Sequence, residues 1–325
     1  MGISVVRYRT SSSPAPQWGV LSDGLICRLE VEGSSHRDIM ALYFDDRARF
    51  DKAIDTREID MSGFEFLSPV SNDVQIFCQG LNYAEHRIEG GLDEGSSEAE
   101  NLIFMKAASS ICGPNDDVVR PPGCQLLDYE IELGLVMKSD LTEHRQLVES
   151  DLTDLVGALV IANDVSARDF MFGAPGMQWF KGKSQRTFCP LGPVLYLLDE
   201  DDLKSLYQLE LVLRLNGQVK QRASTELMIH KPAKTLSDLS MFTLLRTGDL
   251  ILTGTPGGVQ IGIDLRSALA IMLNMKNDRK RRQKFVSAQL ARAEYLKPGD
   301  ILELQIRSFD GAVNLGTQRS RVIEG

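Results

Sequence analysis

Leu127-Asp128-Tyr129-Glu130-Ile131-Glu132-Leu133-Gly134-Leu135-Val136-Met137 is the stretch on which the reading of this chain turns. Glu130 and Glu132 alternate with Tyr129, Ile131 and Leu133. Side chains along a strand repeat every two residues, so the spacing predicts both carboxylates on one face and the apolar groups on the other. Two acids held side by side repel unless a cation lies between them or one takes up a proton; the pattern calls for a metal or a shared proton. An edge strand with a solvated acidic face is the competing reading of this stretch alone.

The rest of the 325-residue chain narrows the choice. Its 43% apolar and 25% charged residues are the balance of a soluble globular enzyme, and its length suits two domains or one large one. The first residues lack the basic, apolar and small-residue succession of a signal peptide, and there is no run of about 18 apolar residues to cross a bilayer, so a cytoplasmic protein with no membrane partner is expected. Cys27, Cys78, Cys112, Cys124 and Cys189 are scattered without paired spacing, which predicts reduced, mostly buried thiols. A net charge of −9 argues against a nucleic-acid partner, because phosphate binding needs a basic face. One basic run, from Lys276 to Lys284, interrupts that balance and reads as a solvated helix face.

In chain order, residues 1–70 carry short β-like pieces, Ser4-Val5-Val6-Arg7-Tyr8 and Trp18-Gly19-Val20-Leu21, followed by helical spacing from Asp38 to Asp55; they predict a small β-rich N-terminal domain. Pro69 and Ser71-Asn72-Asp73 mark a boundary, and residues 71–325 read as the catalytic domain. There Val74-Gln75-Ile76-Phe77-Cys78 is a buried-strand pattern leading to a helical turn that sets His86 and Glu89 on one side. Glu89 to Ser97, rich in glycine and serine, reads as a mobile loop. Gly157 to Ala162 reads as a buried strand delivering Asn163 and Asp164 at its end, a common ligand position. Asn216-Gly217 predicts a hairpin turn, Gly248-Asp249 and Gly299-Asp300 each predict a turn opening a strand, and Leu265 to Glu294 reads as a long helical segment.

Six pieces in one order resemble the fumarylacetoacetate hydrolase family: Gly80-Leu81-Asn82-Tyr83-Ala84-Glu85-His86, Leu127 to Leu133, Ala162-Asn163-Asp164-Val165-Ser166-Ala167-Arg168-Asp169, Lys181-Gly182-Lys183-Ser184, Cys189-Pro190-Leu191-Gly192-Pro193, and Gly248 to Pro256. The resemblance covers roughly Ile76 to Val322. It implies a mixed, β-rich α+β fold whose rolled mixed sheet forms the catalytic domain, a divalent cation, a small-molecule 2-oxo acid substrate and a homodimer. Carried over position by position, it implies Glu130, Glu132 and Asp164 as metal ligands, His86 and Glu89 as the pair that activates water, and Lys183 and Arg168 as holders of substrate oxygens, with Lys106 and Thr255 as further substrate contacts. Three carboxylates without His or Cys favour a hard ion, Mg²⁺ first, with Mn²⁺ or Ca²⁺ as alternatives.

The activity so implied is metal-dependent cleavage of the carbon–carbon bond of a 2,4-dioxo acid to a 2-oxo acid and a carboxylic acid. Oxaloacetate decarboxylation, or isomerisation or dehydration of a 2-oxo acid, needs the same stabilised enolate and stands as the alternative. The chain departs from the family pattern at Met171, where some members carry Gln, and at Gln185, and its 265–294 segment is longer than the usual connection.

Overall fold

The computed structural model describes residues 1–31, 35–55, 63–96, 98–173, 177–262 and 277–325. Strand Ile131–Met137 is buried along its whole length. It runs antiparallel to Val156–Asn163 on one side, with Ile131 opposite Asn163, and to Leu250–Leu252 on the other. Among the described residues these strands sit inside an 11-stranded mixed sheet, nine of them in the order Leu25–Leu29, Ser13–Ser22, Ile3–Thr10, Cys189–Leu197, Val156–Asn163, Ile131–Met137, Leu250–Leu252, Ile76–Gly80, Leu102–Lys106, with Phe64–Leu67 paired to Ile3–Thr10 and Ile111–Cys112 to Cys189–Leu197. Leu250–Leu252 and Ile76–Gly80 are parallel, which makes the sheet mixed. The strands of the first 70 residues extend this sheet through the antiparallel pairing of Ile3–Thr10 with Cys189–Leu197.

A second, 5-stranded sheet packs on one face: Gln218–Ser224, Leu209–Leu215, Ile301–Ser308, Asn314–Glu324 and Val118–Arg120. The core between the sheets joins Tyr129, Ile131, Leu133 and Leu135 to Leu211, Leu213, Leu302, Leu304 and Ile306. On the opposite face Val136, Val160 and Leu250 pack with Ile39, Met40 and Phe50 from helices His36–Asp45 and Ala48–Asp55. The predicted β-rich α+β class is therefore what the chain adopts. It follows from strands that are apolar on both faces in the centre of the large sheet and alternate in the smaller one.

Local chemistry sets the joints. Asn216 and Gly217 take positive φ values of 52° and 80° in the predicted hairpin turn. The two Gly-Asp turns use one device: Asp249 Oδ2 accepts from Arg246 N at 2.8 Å, and Asp300 Oδ2 accepts from Lys297 N at 2.7 Å, each just ahead of a strand. Residues 81–101 leave the sheet after Ile76–Gly80 and return at Leu102–Lys106, where Gly80 and Leu102 are paired.

The basic run departs from its sequence reading. Helix Asp278–Leu290, capped by Asn277, buries Arg281, Phe285 and Val286, and Arg282 donates to Asp169 Oδ2 at 2.8 Å. A third apolar cluster, Phe285 and Val286 with Met171 and Phe172, turns this helix into a packed element, so the run is only partly a solvated face. Residues 263–276, including residues 265–276 of the predicted 265–294 helix and with them Lys276, lie outside the described residues, as does Ser97 of the predicted loop.

Candidate metal centre and active site

The alternation read from the sequence places Tyr129, Ile131 and Leu133 in the inter-sheet core and turns Glu130 and Glu132 the other way. Glu130 sits where the backbone leaves the ladder between Leu127–Asp128 and Ile131–Met137, and Asp164 N donates to its carbonyl at 2.8 Å. Asn163 Oδ1 accepts from Glu130 N at 3.1 Å, locking the two strand ends together. Glu130, Glu132 and Asp164 thereby present carboxylate oxygens within 4.8 Å of one another, all three residues being buried.

Cations surround this cluster. Lys183 Nζ lies 2.8 Å from Glu130 Oε2 and 2.5 Å from Asp164 Oδ2. Lys106 Nζ donates to Asp164 Oδ1 and to the Lys183 carbonyl, each at 2.5 Å. Arg168 spans Asp128 Oδ2 at 2.9 Å and Glu130 Oε1 at 2.5 Å. Glu132 differs: its Oε2 accepts from Gly254 N at 2.7 Å, and its Oε1 is buried without a hydrogen-bond partner among the described residues. Burial, with Asp164 and Glu130 beside it, pushes the Glu132 carboxyl well above the usual range. Burial also acts to raise Glu130, but Lys183 and Arg168 outweigh it and hold that carboxyl far below the usual range. Lys183 is raised: burial disfavours its charge, yet Asp164 and Glu130 prevail. An orphaned carboxylate oxygen inside an all-oxygen donor set fits a hard divalent cation, which Glu130, Glu132 and Asp164 could hold.

His86 and Glu89 occupy one short helix, Ala84–Glu89. His86 Nδ1 is 3.2 Å from Glu89 Oε2, and Glu89 Oε1 accepts from Gly258 N at 2.8 Å. Gly258 has φ +104°, and a Cβ there would meet the Lys220 carbonyl oxygen at 2.0 Å, so this donor position requires glycine. His86 lies near Glu130. Asn82 fixes the start of this helix: Nδ2 donates to Thr253 O at 2.8 Å and His230 O at 3.1 Å, and Oδ1 accepts from His230 N at 2.7 Å.

The structure brings together His86, Glu130, Glu132, Asp164, Lys183, Lys106 and Arg168. Thr255 lies at the margin, where its hydroxyl donates to Ile131 O at 2.9 Å and accepts from Gln221 Nε2 at 2.8 Å. Met171 is wholly buried against Leu126, Phe285 and the α-carbon of Gly182. Sequence reasoning assigned no part to Asp128, Gln221, Gly254 or Gly258. Asp128 stood in the quoted strand two residues before Glu130, and that period-two repeat was the available signal; the glycines act through backbone N–H groups, which no residue type advertises.

The model of the Fumarylacetoacetate (FAA) hydrolase C-terminal family matches residues 75–323. This chain belongs to the fumarylacetoacetate hydrolase family. It is 32% identical over 276 residues to oxaloacetate tautomerase fahd2, mitochondrial, of Xenopus laevis, covering 80% of this chain and 82% of that relative. It is 37% identical over 256 residues to 2,4-didehydro-3-deoxy-L-rhamnonate hydrolase of Sphingomonas sp. (strain SKA58), covering 79% and 75%. Oxaloacetate tautomerase FAHD2A, mitochondrial, of Bos taurus is 38% identical over 196 residues, a match that spans 60% of this chain and 60% of that relative's length. Among solved structures, the fumarylacetoacetate hydrolase of Exiguobacterium antarcticum superposes with a TM-score of 0.76 at 26% identity over 99% of this chain and 100% of that one. A probable 2-hydroxyhepta-2,4-diene-1,7-dioate isomerase from Mycobacterium abscessus gives 0.70 at 27% over 100% and 99%. This fumarylacetoacetate hydrolase family enzyme has, among its described residues, no helix long and apolar enough to cross a membrane.

Proposed function

We propose that this enzyme cleaves the carbon–carbon bond of a 2,4-dioxo acid of the acylpyruvate type, with Mg²⁺ held by Glu130, Glu132 and Asp164. The observation that carries the reading is the His86–Glu89 pair, oriented by Gly258 and set against the acidic cluster. When bound, the ion would polarise the substrate's 2-oxo group and offset the charge that develops on it. Glu89 accepts Nδ1–H of His86, which leaves Nε2 free to take a proton from water as the water oxygen bonds to the distal carbonyl carbon. The bond between that carbon and its neighbour breaks, the electron pair stays on the 2-oxo acid fragment as an enolate, and the His86 proton returns to the enolate carbon. Lys183 and Arg168 set two positive charges beside the developing enolate, with Lys106 and Thr255 as the outer supports of the site. The products are a 2-oxo acid such as pyruvate and a carboxylic acid; the working form in this reading is a cytoplasmic homodimer.

A second reading is supported by the likeness to oxaloacetate tautomerases. Enol–keto conversion, isomerisation or decarboxylation of a 2-oxo acid uses the same enolate and omits the attacking water. The two separate in one experiment: pyruvate release from a panel of acylpyruvates, with and without EDTA, alongside conversion of enol-oxaloacetate, for parent and His86→Ala. Under the first reading, His86→Ala keeps its metal by calorimetry and loses acylpyruvate hydrolysis by roughly 10²–10⁴, the usual worth of a positioned base. Hydrolysis surviving within a few-fold removes the water-activating role from the pair. A parent that turns over enol-oxaloacetate and no acylpyruvate puts the second reading in its place.

A further inference from the structure

The two short helices that carry Arg168 and Lys183 have a second side. Helix Arg168–Phe172 sends Arg168 to Glu130 and, one residue on, Asp169 and Phe170 to a separate cavity. Helix Trp179–Lys183 likewise sends Lys183 to the acidic cluster and Lys181 to that cavity. Helix Asp278–Leu290 closes the remaining wall with Arg279 and Arg282, around a volume of about 850 Å³. That size is within the range of small-molecule sites.

The charges in this cavity do not cancel. Asp169 is fully buried and accepts from Arg282 at 2.8 Å, from Gln125 N at 3.2 Å and from Cys124 Sγ at 3.5 Å. Asp278 Oδ1 pairs with Arg281, which faces away into the fold, at 3.0 Å. Lys181 Nζ and the Arg279 guanidinium have neither a hydrogen-bond nor an ion-pair partner among the described residues. Lys181 Nζ is 5.6 Å, and Arg282 Cζ 5.1 Å, from the centroid of the Phe170 ring, which holds both cations at the rim. A chain of net charge −9 thus concentrates unneutralised cations in a concave site whose floor is fixed by a buried carboxylate.

We propose that this cavity is a second ligand site, distinct from the acidic cluster, for a small dianion carrying carboxylate or phosphate groups, bound by Lys181, Arg279 and Arg282. The proposal does not depend on which reaction the enzyme performs. The test is calorimetric titration of the Mg²⁺-loaded full-length protein with succinate and, separately, glycerol 3-phosphate, both weak metal chelators. Lys181→Glu and Arg279→Glu replace exposed side chains outside the catalytic machinery and are compared with His86→Ala. The expected result is saturable binding of at least one probe with Kd of about 1 mM or below, weakened about ten-fold or more by either charge reversal and unchanged in His86→Ala. A preference for succinate identifies the carboxylate source and a preference for glycerol 3-phosphate the phosphate source. Absence of saturable binding, binding that survives both reversals, or binding lost equally in His86→Ala overturns the proposal.

Discussion

The Lys106 ammonium lies 2.5 Å from Asp164 Oδ1 with neither side chain exposed, and Lys183 takes the other carboxylate oxygen at 2.5 Å. Asp128, Glu130 and Asp164 each touch a buried cation, whereas Glu132 forms no ion pair among the described residues. From sequence alone, Glu130, Glu132 and Asp164 look self-repelling without a metal, and neutralising Glu130 or Asp164 looks harmless to the metal-free protein. The cations reverse that expectation for Asp164. Asp164→Asn is expected to lose the metal and to lower the stability of the metal-free protein by about 3–5 kcal/mol, because buried Lys106 loses its carboxylate partner and Lys183 keeps only Glu130. Glu132→Gln is expected to lose the metal with a stability change within about 1 kcal/mol, since it strands no cation. Calorimetry with Mg²⁺ and urea unfolding in EDTA check both; equal stability of the two variants would refute the charge accounting.

Gly258 supplies the hydrogen bond that orients Glu89 at a position no side chain tolerates. Gly258→Ala is expected to lower kcat roughly 10-fold or more by displacing the Glu89–His86 pair, with metal affinity unchanged. In a Glu89→Ala background the same substitution should have little further effect on kcat, and full additivity in that double-mutant cycle would show that Gly258 acts elsewhere.

Glu132 and Asp164 have no exposed surface and His86 is 6% exposed, so substrate access to the carboxylates requires a surrounding segment to move. Proteolytic cleavage between Glu89 and Ser97 is expected to slow when oxalate and Mg²⁺ are bound. Cleavage at the same rate with and without oxalate would count against closure over substrate.

His36 gives the fold a pH dependence of known sign. It is fully buried, with Nε2 2.9 Å from Gly248 O and Nδ1 2.8 Å from Ser71 Oγ. Burial lowers its pKa to about 4, with Arg37 and Arg7 acting the same way and the Gly248 carbonyl and Asp73 opposing. The folded state therefore binds fewer protons than the unfolded one between pH 6.5 and about 4; stability is intact above that window and falls as pH falls through it. Between pH 7 and 5 the loss due to His36 is about 2 kcal/mol, and urea unfolding of His36→Gln should lack that part of the slope.

The acidic pair, the strand ending in Asp164, the hairpin at Asn216-Gly217 and both Gly-Asp turns were legible because each depends on a local rule, strand alternation or turn chemistry. The ion pairs were not. Lys106 and Asp164 are 58 residues apart, and Arg168 and Asp128 40, and nothing local announces such partners. Nothing local marks His36 as a core residue, yet the turn at Gly248, 212 residues away, encloses it. Met171 stood out as a departure where a polar group was expected, but packing against Gly182 and Phe285 makes it a core residue. The basic run is a helix with a largely exposed charged face, and the packing of that helix comes from Arg281 within the run and from Phe285 and Val286 just beyond it.

Gly80 and Leu102 face each other across two paired strands, so the excursion 81–101 begins and ends on neighbouring points of one rigid edge. Antiparallel partners stand about 5 Å apart, and a loop whose ends are pinned that closely can change in length or sequence without shifting either strand. The carboxylates sit on other strands and their positions are set independently. Adaptation to a new substrate can therefore proceed by rewriting this excursion outside Asn82, His86 and Glu89, with the charged centre left in place.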